Sequence, residues 1–324
     1  MAKGTRTSSS IADLIGECSF RAVGWTAVVL NALAGRRSGD ALGILTYHRI
    51  APRVPGLPRP LHNVTPDRFR RQLEGLAARG FRVWPLGRVL RYHEQARRVP
   101  PRTVVITFDD GYRSVYLYAW PILRALGMPA TVFLSTAFLD GEEPFPFDAW
   151  GMAYRRRAPA EAFLPLTALQ CRRMLEDGLI ELGAHTHTHQ DFRNRPEAFR
   201  KDLEMSIAVL RSRFGIERPA FAFPFGSPRK GYASEQLIAA ARQTAVVCGL
   251  TTECVPVDPA SDPFGWGRFN AFSWDTATTL AAKLDGWYSW APKLRAAWTR
   301  RISGSERGRL RNLRTACHAD RGGV

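Results

Sequence analysis

From residue 42 onward, short apolar runs alternate with amphipathic stretches, and this alternation limits the fold more than any other feature of the chain. The apolar runs "LGILTY" (42–47), "TVVITF" (103–108) and "GLIELGAH" (178–185) predict strands. Residues 65–80 and 196–214 predict helices between such runs. Parallel strands need a crossover, usually a helix, so the alternation indicates an α/β protein with a mainly parallel sheet. About eight strands in about 230 residues favour a distorted (β/α) barrel.

The chain divides into three predicted parts. Residues 1–40 form an N-terminal helical appendage, residues 41–275 the barrel, and residues 276–324 a basic, tryptophan- and arginine-rich helical tail. Residues 22–35 carry no charge, but they are fewer than the roughly 20 residues that a membrane-spanning helix needs. We interpret them as a helix that packs on the barrel or lies on a membrane, with a cleaved signal sequence as the alternative.

The C-terminal tail allows two interpretations. Trp287, Trp290 and Trp298 lie there among lysines and arginines. The favoured interpretation is a pair of helices that pack against the barrel and expose a basic face. The other is a segment that binds a membrane surface or an acidic polymer.

Charge and cysteine content narrow the class of protein. The formal net charge is +17, which is compatible with nucleic acid, anionic lipid or an acidic polymer as a partner. No recognised nucleic-acid-binding motif supports the first of these. The five cysteines are odd in number and include no CxxC pair, which argues against a disulfide framework or a thiolate zinc site. Unpaired thiols favour a reducing compartment.

Several polar residues follow predicted strands, where a parallel barrel brings them to one face. Asp109 and Asp110 follow "TVVITF", and His185 and His189 begin and end "HTHTH". Two histidines four apart share a face on a helical turn and can bind one metal ion together. Asp110 can complete a His₂Asp site, which leaves Asp109 as the base that takes a proton from water. His187 is interpreted as a bystander.

"TFDDG", "HTHTH" and "FAFPFG" resemble the first three motifs of the polysaccharide deacetylases, carbohydrate esterase family four, and the resemblance covers residues 42–272. It implies a distorted barrel and removal of acetyl groups, usually N-acetyl, from glycans with a divalent metal. Zn²⁺ is the expected metal, with Co²⁺ or Ni²⁺ as alternatives. The resemblance makes Asp109 the base and Asp110, His185 and His189 the ligands. It also implies that the backbone N–H of Phe225 stabilises the developing oxyanion.

The sequence departs from the family pattern at two places. Ala222 stands where the family usually has an arginine that orients the base, and no Leu-x-His motif follows near the C-terminus. A circularly permuted branch, similar to the poly-N-acetylglucosamine deacetylases, lacks that arginine and carries its acid on the first strand. "ILTYHRI" matches this branch, so His48 is the predicted acid, with a pKa raised by nearby carboxylates. Arg268 is the hypothetical replacement for the missing arginine.

These observations predict a metal-dependent hydrolase that removes N-acetyl groups from a glycan. The alternative is a catalytically inactive glycan- or metal-binding barrel that is tethered to a polysaccharide synthesis or envelope complex. The expected location is the cytoplasm or the membrane periphery, with export to the envelope as the other possibility. In the loop 140–157, Phe145, Phe147 and Trp150 either stack on sugar rings or pack beneath the loop.

Overall fold

A computed structural model describes residues 24–33 and 41–287. The remainder of the predicted appendage and of the basic tail, including Trp290 and Trp298, lies outside the described residues. The elements, in chain order, are α1 (24–33), β1 (Gly43–Tyr47), β2 (Arg49–Ile50), β3 (Asn63–Val64), α2 (Pro66–Ala77), β4 (Arg82–Val83), α3 (Leu86–Glu94), β5 (Thr103–Phe108), α4 (Trp120–Leu126), β6 (Ala130–Leu134), α5 (Ala149–Tyr154), α6 (Ala168–Leu175), β7 (Ile180–Ala184), α7 (Pro196–Phe214), β8 (Phe221–Ala222), α8 (Glu235–Arg242), β9 (Gly249–Leu250), β10 (Phe269–Asn270) and α9 (Ala277–Ala282).

Eight strands form one parallel sheet in the order β10-β1-β5-β6-β7-β8-β9, with β4 paired to the first half of β5. The strands β2 and β3 form a separate parallel pair. Helices surround the curled sheet, which confirms the predicted distorted (β/α) barrel. Among the described residues, no strand pairing joins β9 to β10, so the barrel is open on that side.

Both faces of the sheet are buried, as expected for parallel strands covered by helices. Within β5, Ile106 and Phe108 belong to the larger apolar cluster, whereas Val105 belongs to a second cluster on the opposite face. The two clusters hold the strands in place on either side. The carboxyl end of β5 therefore has a fixed position, and the two aspartates follow it directly.

The strongest helix predictions are confirmed. The α2 helix starts after Thr65, whose side chain accepts a hydrogen bond from the Arg68 N–H, and α7 spans residues 196–214 as predicted. The amphipathic stretch 116–126 also predicts a helix, but the structure begins it with a wider π-helical turn, Val115–Ala119, before α4. The run "TAVVCGL" predicts a strand over 244–250, but only its last two residues pair, with β8.

The α1 helix packs on the C-terminal end of the described chain. Ala27 is buried against Ala282 and Trp287, and the Asn31 side chain donates a hydrogen bond to Asp285. This supports the packed-helix interpretation of residues 24–33. A search of the described helices finds none with the length and apolar character needed to span a membrane.

Candidate metal and active centre

The doubled aspartate after β5 separates into two environments because the backbone turns sharply there. Asp109 still has extended pairing, since its N–H donates to the carbonyl of Tyr47. Asp110 has a φ of 72° and Gly111 a φ of 88°, both in the left-handed region. A Cβ on Gly111 would also lie 2.8 Å from Leu134 Cδ2, so glycine is required. The two carboxylates consequently contact different partners.

Asp110 faces the two histidines that follow β7. Its Oδ1 atom lies 3.5 Å from His185 Nε2 and 3.4 Å from His189 Nε2. One donor atom from each residue lies within 4.8 Å of the other two, and all three residues are buried. Burial alone raises the pKa of Asp110, but the hydrogen bonds from both histidines hold it well below its ordinary value.

The arrangement of ring nitrogens fits a divalent cation. His185 Nδ1 lies 2.8 Å from the carbonyl oxygen of Ala222. A carbonyl only accepts, so Nδ1 carries a hydrogen, and Nε2 becomes a ligand for a cation when it loses the proton that it donates to Asp110. His189 Nδ1 is buried, and no described residue bonds to it. Two imidazole nitrogens and one carboxylate suit Zn²⁺, Co²⁺ or Ni²⁺ and leave positions for water and substrate.

The two histidines lie on a loop rather than on a helical turn, which corrects the geometric basis of the prediction. Thr186 and His189 have φ values of 64° and 53°, and this backbone directs both rings to Asp110. Asp202 on α7 accepts hydrogen bonds from the N–H groups of His187 and Thr188 and holds the loop. The prediction missed Asp202, because one acid in an amphipathic helix carries no distinctive signal.

His187 is directed away from the centre. Its Nδ1 atom lies 3.0 Å from the Thr136 hydroxyl, and it is not among the converging ligands. Its interpretation as a bystander remains a prediction.

Asp109 is paired with Arg268, as the sequence hypothesis requires. The guanidinium donates through both terminal nitrogens to the two carboxylate oxygens, at 2.6 and 2.8 Å, and Arg268 is fully buried. Further bonds to Thr107 Oγ1 and the Thr251 carbonyl fix the guanidinium plane. Burial is the largest influence on the pKa of Asp109 and raises it, but the charge and hydrogen bonds of Arg268, together with His185 and His48, outweigh burial and lower that pKa. Asp109 is therefore ionised and held in one orientation.

His48 lies at the end of β1, on the same face of the barrel. Burial lowers its pKa, and the opposing effect of Asp110 and Asp109 does not compensate. The expectation of a raised pKa is therefore wrong, because desolvation of the imidazolium outweighs the two carboxylates. The His62 ring stacks on His48 with 4.5 Å between centroids. His62 was not predicted, because only the pairing of β2 with β3 brings it beside β1.

Phe225 lies beside the histidines on the loop after β8. Its φ is 60°, its side chain is 46% exposed, and its ring contacts His189 edge to face. No described residue accepts a hydrogen bond from its N–H. That donor is consequently available to a substrate oxygen.

The loop aromatics differ in their roles. Phe145 is buried against Tyr112 and Phe138, so the packing interpretation applies to it. Phe147 stacks on His189 with 3.8 Å between centroids. Trp150 donates a hydrogen bond from its indole nitrogen to the Pro58 carbonyl.

Comparison with known proteins agrees with this geometry. The polysaccharide deacetylase family model matches residues 96–248. That range contains Asp109, Asp110, both histidines and Phe225, but neither His48 nor Arg268. A poly-β-1,6-N-acetyl-D-glucosamine N-deacetylase of Staphylococcus epidermidis is 25% identical over 234 residues, covering 69% of this chain and 73% of the relative. A Staphylococcus aureus protein of the same name is 24% identical over 236 residues, covering 70% and 73%.

Solved structures share the fold. The structure of IcaB from Ammonifex degensii superposes with a TM-score of 0.63 at 23% identity, covering 77% of this chain and 99% of that one. A de-N-acetylase from Aggregatibacter actinomycetemcomitans superposes with a TM-score of 0.63 at 19% identity, covering 76% and 100%. The family match shows that residues 96–248 of this chain form a polysaccharide deacetylase domain, and the similarity to the staphylococcal relatives extends beyond that range.

Proposed function

We propose that this chain removes N-acetyl groups from a glycan that contains N-acetylglucosamine by metal-assisted hydrolysis. The observation that carries the proposal is the buried group of Asp110, His185 and His189 beside a second carboxylate with its own guanidinium. The names of the staphylococcal relatives support the choice of substrate. The alternative is a barrel that binds metal or glycan without turnover.

Asp110, His185 and His189 would hold the metal, with Zn²⁺ as the first choice and Co²⁺ or Ni²⁺ as alternatives. When bound, such a cation supplies Lewis-acid polarisation of the acetyl carbonyl and lowers the pKa of water. The chain's own groups supply the rest. Asp109 is ionised and oriented by Arg268, so it can accept the proton of the attacking water.

The remaining two groups act on the substrate side. The N–H of Phe225 donates to the oxygen that becomes negative as the acetyl carbon turns tetrahedral. His48, in its protonated form, passes a proton to the leaving amine. Its lowered pKa makes the imidazolium a stronger acid than free histidine.

The test measures acetate release from N-acetylglucosamine oligomers by metal-stripped protein, before and after addition of Zn²⁺ or Co²⁺. We expect release only after metal is restored. The loop provides a matched pair of variants: His189→Ala should lose metal binding and activity, whereas His187→Ala should keep metal binding. Metal binding without acetate release would identify the inactive barrel, and release that survives in His189→Ala would contradict the proposed centre.

We also propose that α1 contacts an anionic membrane surface and places the enzyme at the membrane periphery. Trp25, Val29 and Leu33 are spaced four residues apart and are 60%, 54% and 79% exposed. Arg21, Arg36 and Arg37 flank this helix in the sequence. An apolar face beside arginines matches the chemistry of an interfacial helix.

Sedimentation with vesicles that contain anionic lipid tests this contact. Trp25→Ser/Leu33→Ser should reduce the bound fraction, whereas the control Met205→Ser, at an exposed position on α7, should not. Equal binding of both variants would contradict a role for α1.

A further inference from the structure

A basic cavity of about 170 Å³ is lined mainly by the loop after β2 and by the first turns of α2. Five arginines line it, and none of its described lining residues is an aspartate or a glutamate. The arginines are Arg49, Arg53, Arg59, Arg68 and Arg71. Five guanidinium groups around one cavity repel one another, because each keeps its charge at any physiological pH. An arrangement of this kind is stabilised by an anion in the cavity.

Arg49 forms the buried wall of the cavity. Its guanidinium lies between the rings of Tyr112 and Trp150, 4.5 and 5.0 Å from their centroids, and forms an ion pair with Asp148. Its Nε atom is buried, and no described residue accepts its hydrogen. Asp148 thus balances the charge of Arg49 from outside the cavity lining.

The cavity is built on ordered backbone. The Asn63 side chain bonds to both the N–H and the carbonyl of Ala51, at 3.0 and 3.1 Å. Trp150 is bonded to the Pro58 carbonyl at 2.7 Å. Thr65, at the N-terminus of the twelve-residue α2 helix, also lines the cavity and adds the positive end of a helix dipole.

The cavity adjoins the proton-donor side of the centre. Arg49, the residue after His48, forms an ion pair with Asp148. Asp148 directly follows Phe147, whose ring stacks on His189. Asn63 directly follows His62, whose ring stacks on His48. A group in the cavity would therefore belong to a part of the glycan close to the sugar that loses its acetyl group.

We propose that this cavity is a subsite for an anionic substituent, a carboxylate or a phosphate, on the glycan unit next to the one that is deacetylated. Guanidinium groups bind both oxyanions through paired hydrogen bonds. The proposal rests on the proposed deacetylase function and specifies its substrate further. It predicts that this enzyme prefers an acidic N-acetylated glycan to a neutral one.

The experiment compares two oligosaccharides of equal length, a neutral N-acetylglucosamine oligomer and one in which N-acetylglucosamine alternates with a uronic acid. Acetate release by the metal-loaded full chain is measured at low and high salt. The test variant is Arg68→Gln/Arg71→Gln. The control Arg172→Gln/Arg218→Gln removes the same charge from exposed positions that do not line the cavity.

We expect the test variant to raise KM for the acidic oligomer about 3- to 30-fold, with KM for the neutral oligomer and kcat unchanged. The control variant should leave both values unchanged. The preference of the wild type should also weaken at high salt, because exposed ion pairs are screened. Equal kcat/KM for both oligomers in the wild type would overturn the subsite and leave the deacetylase function standing.

A binding measurement separates the two hypotheses if neither oligomer is turned over. Titration calorimetry with Asp109→Asn protein should show tighter binding of the acidic oligomer, and Arg68→Gln/Arg71→Gln should abolish the difference. That outcome would support the subsite while the deacetylase function fails. Inorganic phosphate should compete with the acidic oligomer. Phosphate binding that depends on Arg68 and Arg71 without competition would indicate a separate anion site and overturn the proposal.

Discussion

The pair of Arg268 and Asp109 allows a prediction that separates orientation of the base from simple packing. Arg268 is fully buried and donates four hydrogen bonds, two of them to Asp109. Arg268→Met removes the guanidinium and leaves a carboxylate that is only 3% exposed without its cation. Loss of one partner from a buried pair costs about 3–5 kcal/mol, so we expect a decrease of that size in the free energy of unfolding.

The same substitution should change catalysis and its pH dependence. Loss of an oriented general base costs about 10²- to 10⁴-fold in kcat. Without Arg268, burial raises the pKa of Asp109, so the acidic limb of the kcat profile should move to higher pH. In the wild type the pKa of Asp109 is lowered, so the pair contributes stability above the unfolded-state pKa and loses it as pH falls through the folded-state pKa. That acid-dependent loss should shrink in the variant.

Urea unfolding and steady-state acetate release would measure both effects. The double variant Arg268→Met/Asp109→Asn removes the unpaired charge, so it should recover part of the lost stability and none of the activity. Arg268→Lys keeps the charge but not the paired hydrogen bonds, so it should lie between wild type and Arg268→Met in stability. A single Arg268→Met variant with stability within about 1 kcal/mol of wild type and unchanged kcat would refute the reasoning.

Three further expectations concern the surroundings of the site. Gly111→Ala should lower the free energy of unfolding by about 1–3 kcal/mol and reduce metal affinity, because the residue has a φ of 88° and its Cβ would contact Leu134. Chemical denaturation and metal titration measure the two effects, and wild-type values in both would contradict the prediction. Asp202→Ala should weaken metal binding about 10-fold, since it removes three hydrogen bonds that hold the histidine loop. Chelator competition measures the metal affinity, and a wild-type affinity in the variant would count against the prediction. Cys171 and Cys248 should resist alkylation at pH 8 in the native protein, because burial raises the pKa of each thiol to about 12. Peptide mapping after labelling measures this, and alkylation of either thiol in the folded protein would contradict it. The contribution of these buried thiols to the free energy of unfolding should decline only between about pH 9 and 12.

Local patterns predicted the long elements of this fold well. The helix α7 and the strand β5 have the predicted bounds, because nineteen residues with a recurring apolar face, and six consecutive apolar or β-branched residues, leave little choice of structure. The strands β8, β9 and β10 have two residues each, and α5 has six. Elements this short are determined by the neighbours they pair with, so their own residues indicate them poorly.

The residues of the motifs were recognisable before any coordinates. An adjacent pair of aspartates after a strand, followed by glycine, and two histidines four apart identified the residues that we propose as metal ligands and base. The structure brings these groups together, but the histidines lie on a loop with two residues at positive φ and not on the predicted helical turn. Backbone angles of that kind depend on Asp202 and on the contact with Phe147, which are remote from the loop in sequence.

By itself, the sequence determined the parallel α/β architecture, the resemblance to the polysaccharide deacetylases and the set of groups able to bind a metal, because each follows from local periodicity or from short motifs. Only the tertiary structure decided that Arg268 pairs with Asp109 across 159 positions, that His62 stacks on His48, and that burial lowers the pKa of His48. It also gathered five arginines around one cavity. The distances between side chains that are remote in sequence, and the burial of those side chains, are set only when the sheet curls and the helices pack over it. No local sequence pattern therefore predicts them.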